Sequence, residues 1–127
     1  MPINHDGDIV AARQKGRDLA AQIGFTGGDL TVIATAISEL ARNIVVYAQR
    51  GEVSLSIGEQ DGRRCIIVIA RDEGPGIADI EQAMRDGFST GKSLGLGLPG
   101  ARRLMDEFEI VSTVGRGTTV TMRKWKR

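Results

Sequence analysis

Aromatic residues make up only 4% of the chain, too few for the stacking platform on which single-strand binders lay nucleic acid bases. Cys65 is the one cysteine, which excludes an internal disulfide and a cysteine-built metal cluster. It lies in the apolar run Cys65–Ala70, the setting of a buried thiol. Histidine is also single: His5 sits close to the start of the chain, reads as solvated and receives no role. The formal net charge is +1, so bulk charge gives no reason to expect nucleic acid or an anionic membrane as a partner. Neither a leader-like segment nor a long apolar span is evident, and the cytoplasm is the expected location. Repeats and low-complexity segments are absent. At 127 residues, with 26% charged and 41% apolar residues, the chain is expected to form one domain, 1–127, large enough to bury roughly two thirds of its unfolded surface.

Apolar periodicity predicts the elements. Asp8 to Ile23 reads as a helix weakened by Gly16 and stopped by Gly24. Leu30, Ile33, Ile37, Leu40 and Ile44 recur at steps of three and four, the stripe of a core-facing helix from about Asp29 to Ala48. Thr26 and Asp29 are its candidate caps. Val53–Ile57 and Cys65–Arg71 read as strands joined through an Asp61-Gly62 hairpin signal. Asp79–Asp86 reads as a short helix, and Gly87–Gly97 as a mobile glycine-rich segment. Leu98–Asp106 reads as a third main helix with Pro99 in its first turn, followed by strands at Glu109–Val114 and Thr118–Trp125 around Gly115-Arg116-Gly117. Met1–Asp6 fits either an edge strand or a loose terminus. The order predicts an α+β sandwich: helices on one face of a mixed, mostly antiparallel sheet.

Three short segments stand out. Glu39 and Asn43 lie four apart and stack on one side of the second helix, beside its apolar stripe. Alone they also fit a solvated pair. Asp72-Glu73-Gly74-Pro75-Gly76 follows the buried strand. Asp-x-Gly is a common turn, yet a carboxylate there, with glycines admitting a ligand, also suits an exocyclic amine such as that of adenine. Guanine presents a carbonyl at that place, and two acceptors would face each other. The third segment, Gly95-Leu96-Gly97-Leu98-Pro99-Gly100, matches G-x-G-x-x-G. No apolar strand precedes it and no acidic residue follows about twenty positions on, so a dinucleotide fold is excluded. H-R-D and D-F-G partners are missing, which excludes a eukaryotic-type kinase loop. Gly91-Lys92-Ser93 lacks the leading glycine of a P-loop, because position 86 is Asp86. What remains is glycine N–H groups at a helix N-terminus, an anion site.

In this order the three segments resemble the N, G1 and G2 boxes of the Bergerat (GHKL) ATP-binding fold shared by gyrase, heat-shock chaperones, MutL and histidine kinases. Gly117-Thr118 is similar to the glycine-threonine near that fold's last strand. No phosphoacceptor histidine helix is evident, and 127 residues leave no room for the further domains of gyrase or MutL. The stretches Ala34–Asn43 and Gly95–Phe108 resemble the RsbT-type serine/threonine switch kinases of the bacterial stressosome. Anti-sigma-factor kinases are similar in the three boxes but carry bulkier residues where this chain has Pro99-Gly100-Ala101-Arg102-Arg103.

The resemblance implies phosphoryl transfer from ATP to a seryl or threonyl hydroxyl. It makes Glu39 the catalytic base or orienter and Asn43 a Mg²⁺ ligand through its amide oxygen. It implies a nucleotide set of Asn43, Asp72, Gly74, Gly76, Ile77, Lys92, Ser93, Gly95, Leu96, Gly97, Leu98 and Thr118. Within it Asp72 reads adenine, Gly95 and Gly97 cradle phosphate, and Thr118 supports the adenine side. Lys92 fits charge balance on the γ-phosphate as well as it fits a solvated loop lysine. Ile77–Leu94 is expected to act as a lid. The implied substrate is a serine on a small STAS-domain antagonist or scaffold, and the implied second partner is a PP2C-type phosphatase activated by the released kinase. The rival reading is an ATP-holding switch that works by binding. The basic end Arg123-Lys124-Trp125-Lys126-Arg127 reads as a solvated strand edge rather than a nucleic-acid site.

Overall fold

The computed structural model describes residues 1–77, 84 and 97–127. Five strands form one sheet in the order β1-β2-β3-β5-β4: β1 (Pro2–Ile3), β2 (Gly51–Gln60), β3 (Arg63–Asp72), β4 (Glu107–Thr113) and β5 (Gly117–Trp125). Every described pair is antiparallel. The helices are α1 (Asp6–Ile23), α2 (Gly28–Asn43) and α3 (Gly97–Leu104), with a π-helical turn, Ile44–Ala48, continuing α2. The short helix expected at 79–86 falls almost wholly outside the described residues.

The stripe of α2 does what its spacing predicts. Ile33, Ile37, Leu40 and Ile44 are fully buried and meet Val53, Ile66, Val68, Ala70, Val120 and Met122 from the sheet. β3 is central and its inward residues are buried, which explains its nearly continuous apolar sequence. Gly28–Ala48 is also the one described stretch long and apolar enough to span a bilayer by length and composition, a run the sequence reading passed over. Its apolar stripe is spent on this core.

Gly16 is buried rather than merely tolerated. A Cβ there would lie 2.1 Å from Ile37 Cδ1, so its bareness makes room for the Ile37 side chain between α1 and α2. Asp61 (φ 54°) and Gly62 (φ 76°) form the expected hairpin. Gly24 (φ 116°) ends α1, its N–H donating to Ala20 and Ala21 carbonyls.

Some local expectations change. His5 does have a structural role: its Nδ1 accepts from the Gly7 N–H at 3.2 Å, and Asp8 accepts from the His5 N–H, so the pair caps α1. Neither Thr26 nor Asp29 caps α2 through its side chain; Gly27 stands at the N-cap. The basic end is no sheet edge, because β5 runs between β3 and β4. Arg123 pairs with Glu107, Lys124 and Arg127 with Asp106, and the Arg63 guanidinium lies over the Trp125 ring. The Cys65 thiol is buried, and burial pushes it above its ordinary value.

Candidate nucleotide site

Glu39 is 4% exposed, an unusual place for a carboxylate. Its Oε1 accepts from Arg42 Nη1 at 2.9 Å, and its Oε2 accepts from the Gly97 backbone N–H at 2.8 Å. The solvated-pair reading of Glu39 therefore does not hold. A helix residue and the first residue of α3, 58 positions apart in sequence, are tied by one charge-assisted bond. Asn43 follows one turn on, half-buried, as the last residue of α2. The π-helical turn then widens the helix end, a distortion frequent at functional sites.

That widened end meets the Asp72 loop. A Cβ on Gly74 would lie 2.6 Å from Ala48 Cβ, and one on Gly51 would meet Ile44 Cγ2 at 2.9 Å and Asp72 Cβ at 3.1 Å. Glycine at both positions lets the helix end, β2 and the loop close on one another. Asp72 Oδ1 accepts from the Gly74 N–H at 2.9 Å, the Asx turn its sequence suggests. Among the described residues that is the one hydrogen bond of this carboxylate, and its Oδ2 accepts none.

Register builds the rest. Gly51, Asp72, Thr118 and Ser112 are successive cross-strand partners on β2, β3, β5 and β4. Thr118 is 6% exposed and shares the helix-side face with Val120 and Met122. Its hydroxyl lies 2.8 Å from Ser112 Oγ, which also accepts from the Ile77 N–H at 2.7 Å. Gly76 (φ 78°) and Gly117 (φ 124°) occupy backbone shapes that favour glycine. Cβ atoms there would come within 2.4 Å of the Thr113 carbonyl oxygen and 2.1 Å of the Asp72 carbonyl oxygen. The Gly115 N–H donates to the Pro75 carbonyl at 2.9 Å, so the Asp72 loop and the β4–β5 turn lie back to back.

The structure thus brings together Glu39 and Gly97, and separately Asp72, Gly74, Gly76, Ile77 and Thr118, with the end of α2 touching both groups. Leu98 is buried in the core. Lys92, Ser93, Gly95 and Leu96 lie outside the described residues, as does nearly all of the expected lid. Arg42 and Ser112 were not singled out from the sequence. The spacing of Arg42 three residues from Glu39 was the available signal; for Ser112 there was none short of the strand register. A shallow depression lined by Gln60, Asp61, Arg63, Glu107 and Trp125 lies at the far end of the β2–β3 hairpin, away from these residues.

A family model described as "Histidine kinase-like ATPase domain" matches residues 4–124. The chain belongs to this family. Within the histidine kinase-like ATPase family it is 52% identical, over 94% of its own length and 90% of the relative's, to the serine/threonine-protein kinase RsbT of Bacillus subtilis (strain 168). It is 37% identical to the anti-sigma F factor of Geobacillus stearothermophilus, over 82% and 75% of the two lengths. Among solved structures, a mycobacterial sensor histidine kinase, MprB, superposes with a TM-score of 0.61 at 18% identity, covering 100% of this chain and 97% of that one. The likeness to MprB shows the α+β fold. The likeness to RsbT shows the enzymatic class: the chain is a protein serine/threonine kinase with an ATP-binding domain of this family.

Proposed function

We propose that the chain transfers the γ-phosphoryl group of Mg²⁺-bound ATP to a serine or threonine of a STAS-domain antagonist or scaffold protein in a stressosome-type partner-switching pathway. Once released, it binds and activates a PP2C-type phosphatase. Cytoplasmic placement goes with that role. Substrate and partner classes rest on the resemblance to the RsbT-type kinases. The observation that carries the chemistry is the buried Glu39 carboxylate at the start of the glycine-flanked helix α3, 2.8 Å from the Gly97 N–H.

On this reading Glu39 accepts the proton of the acceptor hydroxyl as it attacks phosphorus, and the leaving group is ADP. The Gly97 N–H, together with those of the preceding glycine segment, holds phosphate at a helix N-terminus. Glu39 Oε2 and a phosphate oxygen compete for the Gly97 N–H, so occupancy of the phosphate site frees that carboxylate oxygen for the acceptor. Asn43 offers an uncharged oxygen to Mg²⁺. Among the described residues no group of three or more His, Cys, Asp or Glu residues can hold a metal, which suits an ion bound mainly by the nucleotide's phosphates. Asp72, with one oxygen committed to its turn and one available, takes the adenine amine, supported by Thr118. Lys92, Ser93, Gly95 and Leu96 complete the phosphate side.

The test is transfer of label from γ-³²P-ATP to a co-encoded STAS-domain protein, with and without Mg²⁺. Expected is metal-dependent labelling on serine or threonine, lost in Glu39→Ala while the two proteins still bind. Binding with no transfer in the parent chain would replace this reading with that of a switch acting by association alone.

A further inference from the structure

The reading of Asp72 as the adenine contact leaves unexplained why a serine stands at the outer end of its row. Ser112 Oγ has three polar neighbours: the Ile77 N–H at 2.7 Å, the Gly117 carbonyl at 3.2 Å and the Thr118 hydroxyl at 2.8 Å. A serine hydroxyl has one proton and two lone pairs. The Ile77 N–H donates and fills one lone pair. The Gly117 carbonyl can only accept, so it takes the serine proton. One lone pair remains, and the Thr118 hydroxyl fills it by donating. This arrangement uses every site on Ser112. The reverse, with Ser112 donating to Thr118, leaves the Gly117 contact unused.

With its proton turned toward Ser112, Thr118 keeps only lone pairs for any further partner, and Asp72 is its register partner on β3. Asp72 there is also an acceptor. Two acceptors at adjacent positions of one row match an exocyclic amine, which has two protons to give. They oppose a 6-oxo group, which has none. Thr118 is almost fully buried, so water cannot readily substitute for Ser112 in fixing its proton.

We infer that Ser112 is a specificity-determining residue: by fixing Thr118 as an acceptor, it adds to the preference of the site for 6-amino over 6-oxo purine nucleotides. The inference rests on the adenine-side reading given above. It assigns Ser112 a positioning role, without contact to the base.

The experiment compares ATP with inosine triphosphate, which replaces the 6-amino by a 6-oxo group, by titration calorimetry on the full chain with Mg²⁺ and no acceptor protein. The parent chain is expected to favour ATP. In Ser112→Ala the ratio of the two dissociation constants should shrink about five- to tenfold, the worth of one neutral hydrogen bond. Ser112→Thr, which keeps the hydroxyl, should retain the parent ratio. Thr118→Val should narrow the ratio too, and the Ser112→Ala/Thr118→Val double variant should narrow it no further than Thr118→Val alone. If Ser112→Ala does not fold, Ser112→Cys, similar in size and a weak hydrogen-bonding group, carries the same expectation. An unchanged ratio, or equal weakening of both nucleotides, overturns the inference. Asp72→Asn separates the two levels. If it narrows the ratio while the Ser112 variants do not, only the role of Ser112 falls; if it too leaves the ratio unchanged, the adenine-side reading falls and takes this inference with it.

Discussion

Replacing Glu39 by glutamine tests whether one carboxylate both ties α3 to α2 and takes a proton. Its two oxygens accept from two donors, Arg42 Nη1 at 2.9 Å and the Gly97 N–H at 2.8 Å. A glutamine has one acceptor oxygen, and its NH₂ must face a donor whichever way the amide turns. The Arg42 side chain is 34% exposed and can turn to water; the Gly97 N–H is backbone and cannot. The amide oxygen should therefore stay on Gly97 and release Arg42. Losing a charge-assisted bond costs about 1.5–3 kcal/mol, and the remaining bond to Gly97 weakens to roughly half. Against this, the chain no longer buries a charge, and Arg42 regains hydration. The net expectation is about 1–2 kcal/mol of lost stability, a urea midpoint lower by roughly 0.5–1 M at an unchanged slope. Glu39→Ala should cost about 2–4 kcal/mol, since both donors are stranded and a void is left. In single-turnover phosphotransfer, Glu39→Gln should slow the chemical step about 10²- to 10⁴-fold. Because the amide holds the Gly97 N–H less strongly than the carboxylate does, phosphate displaces it at least as easily, and ATP affinity should change no more than a few-fold. A glutamine variant as stable as the parent would show that the bond between the helices carries no energy; one that transfers phosphate at the parent rate would remove the base assignment.

Burial alone would raise the Asp106 carboxyl. The Trp125 N–H, with Arg127 and Lys124 beside it, outweighs burial and holds it below its ordinary 3.8. A depressed folded value adds stability above the unfolded value and loses it as pH falls through the folded one. Asp106→Asn should therefore be less stable than the parent at pH 7 by about 1–2 kcal/mol, with the gap closing below about pH 4; thermal melts across pH 3–7 check this. Gly16→Ala opposes two effects: helix propensity gains about 1 kcal/mol, while a methyl 2.1 Å from the fully buried Ile37 Cδ1 overpacks the crossing by about 1–3 kcal/mol. Overpacking should win, lowering Tm by a few degrees. Ile37→Val, which deletes that Cδ1, should cost less in the Gly16→Ala background than in the parent.

What the sequence revealed and what it withheld divide along one physical line. Periodicity reports which face of an element is apolar, and so the α2 stripe, the central strand and the Asp61-Gly62 turn were all legible. The burial of Glu39 was not. It lies beside the stripe, and its partner is a backbone N–H 58 residues away, supplied only when α3 docks against α2. The glycines at 74 and 76 could be read as room for a ligand, and Gly117 only as half of a family pair, yet in the structure each is first a point where two backbones, or a backbone and the α2 end, touch. Ligand room and chain room are the same requirement in a loop that must lie flat against a turn. Ser112 was invisible for a further reason. Alternation in β4 places it inward, but its meaning comes from the register of β4 on β5 and of β5 on β3. No local pattern encodes that register. His5 was passed over through the opposite error: a lone terminal imidazole is usually solvated, and this one is half-committed to capping the first turn of α1. A sequence thus shows which residues can do the chemistry. The hydrogen bonds that orient them come from partners brought close by folding, and they appear only when the strands are laid side by side.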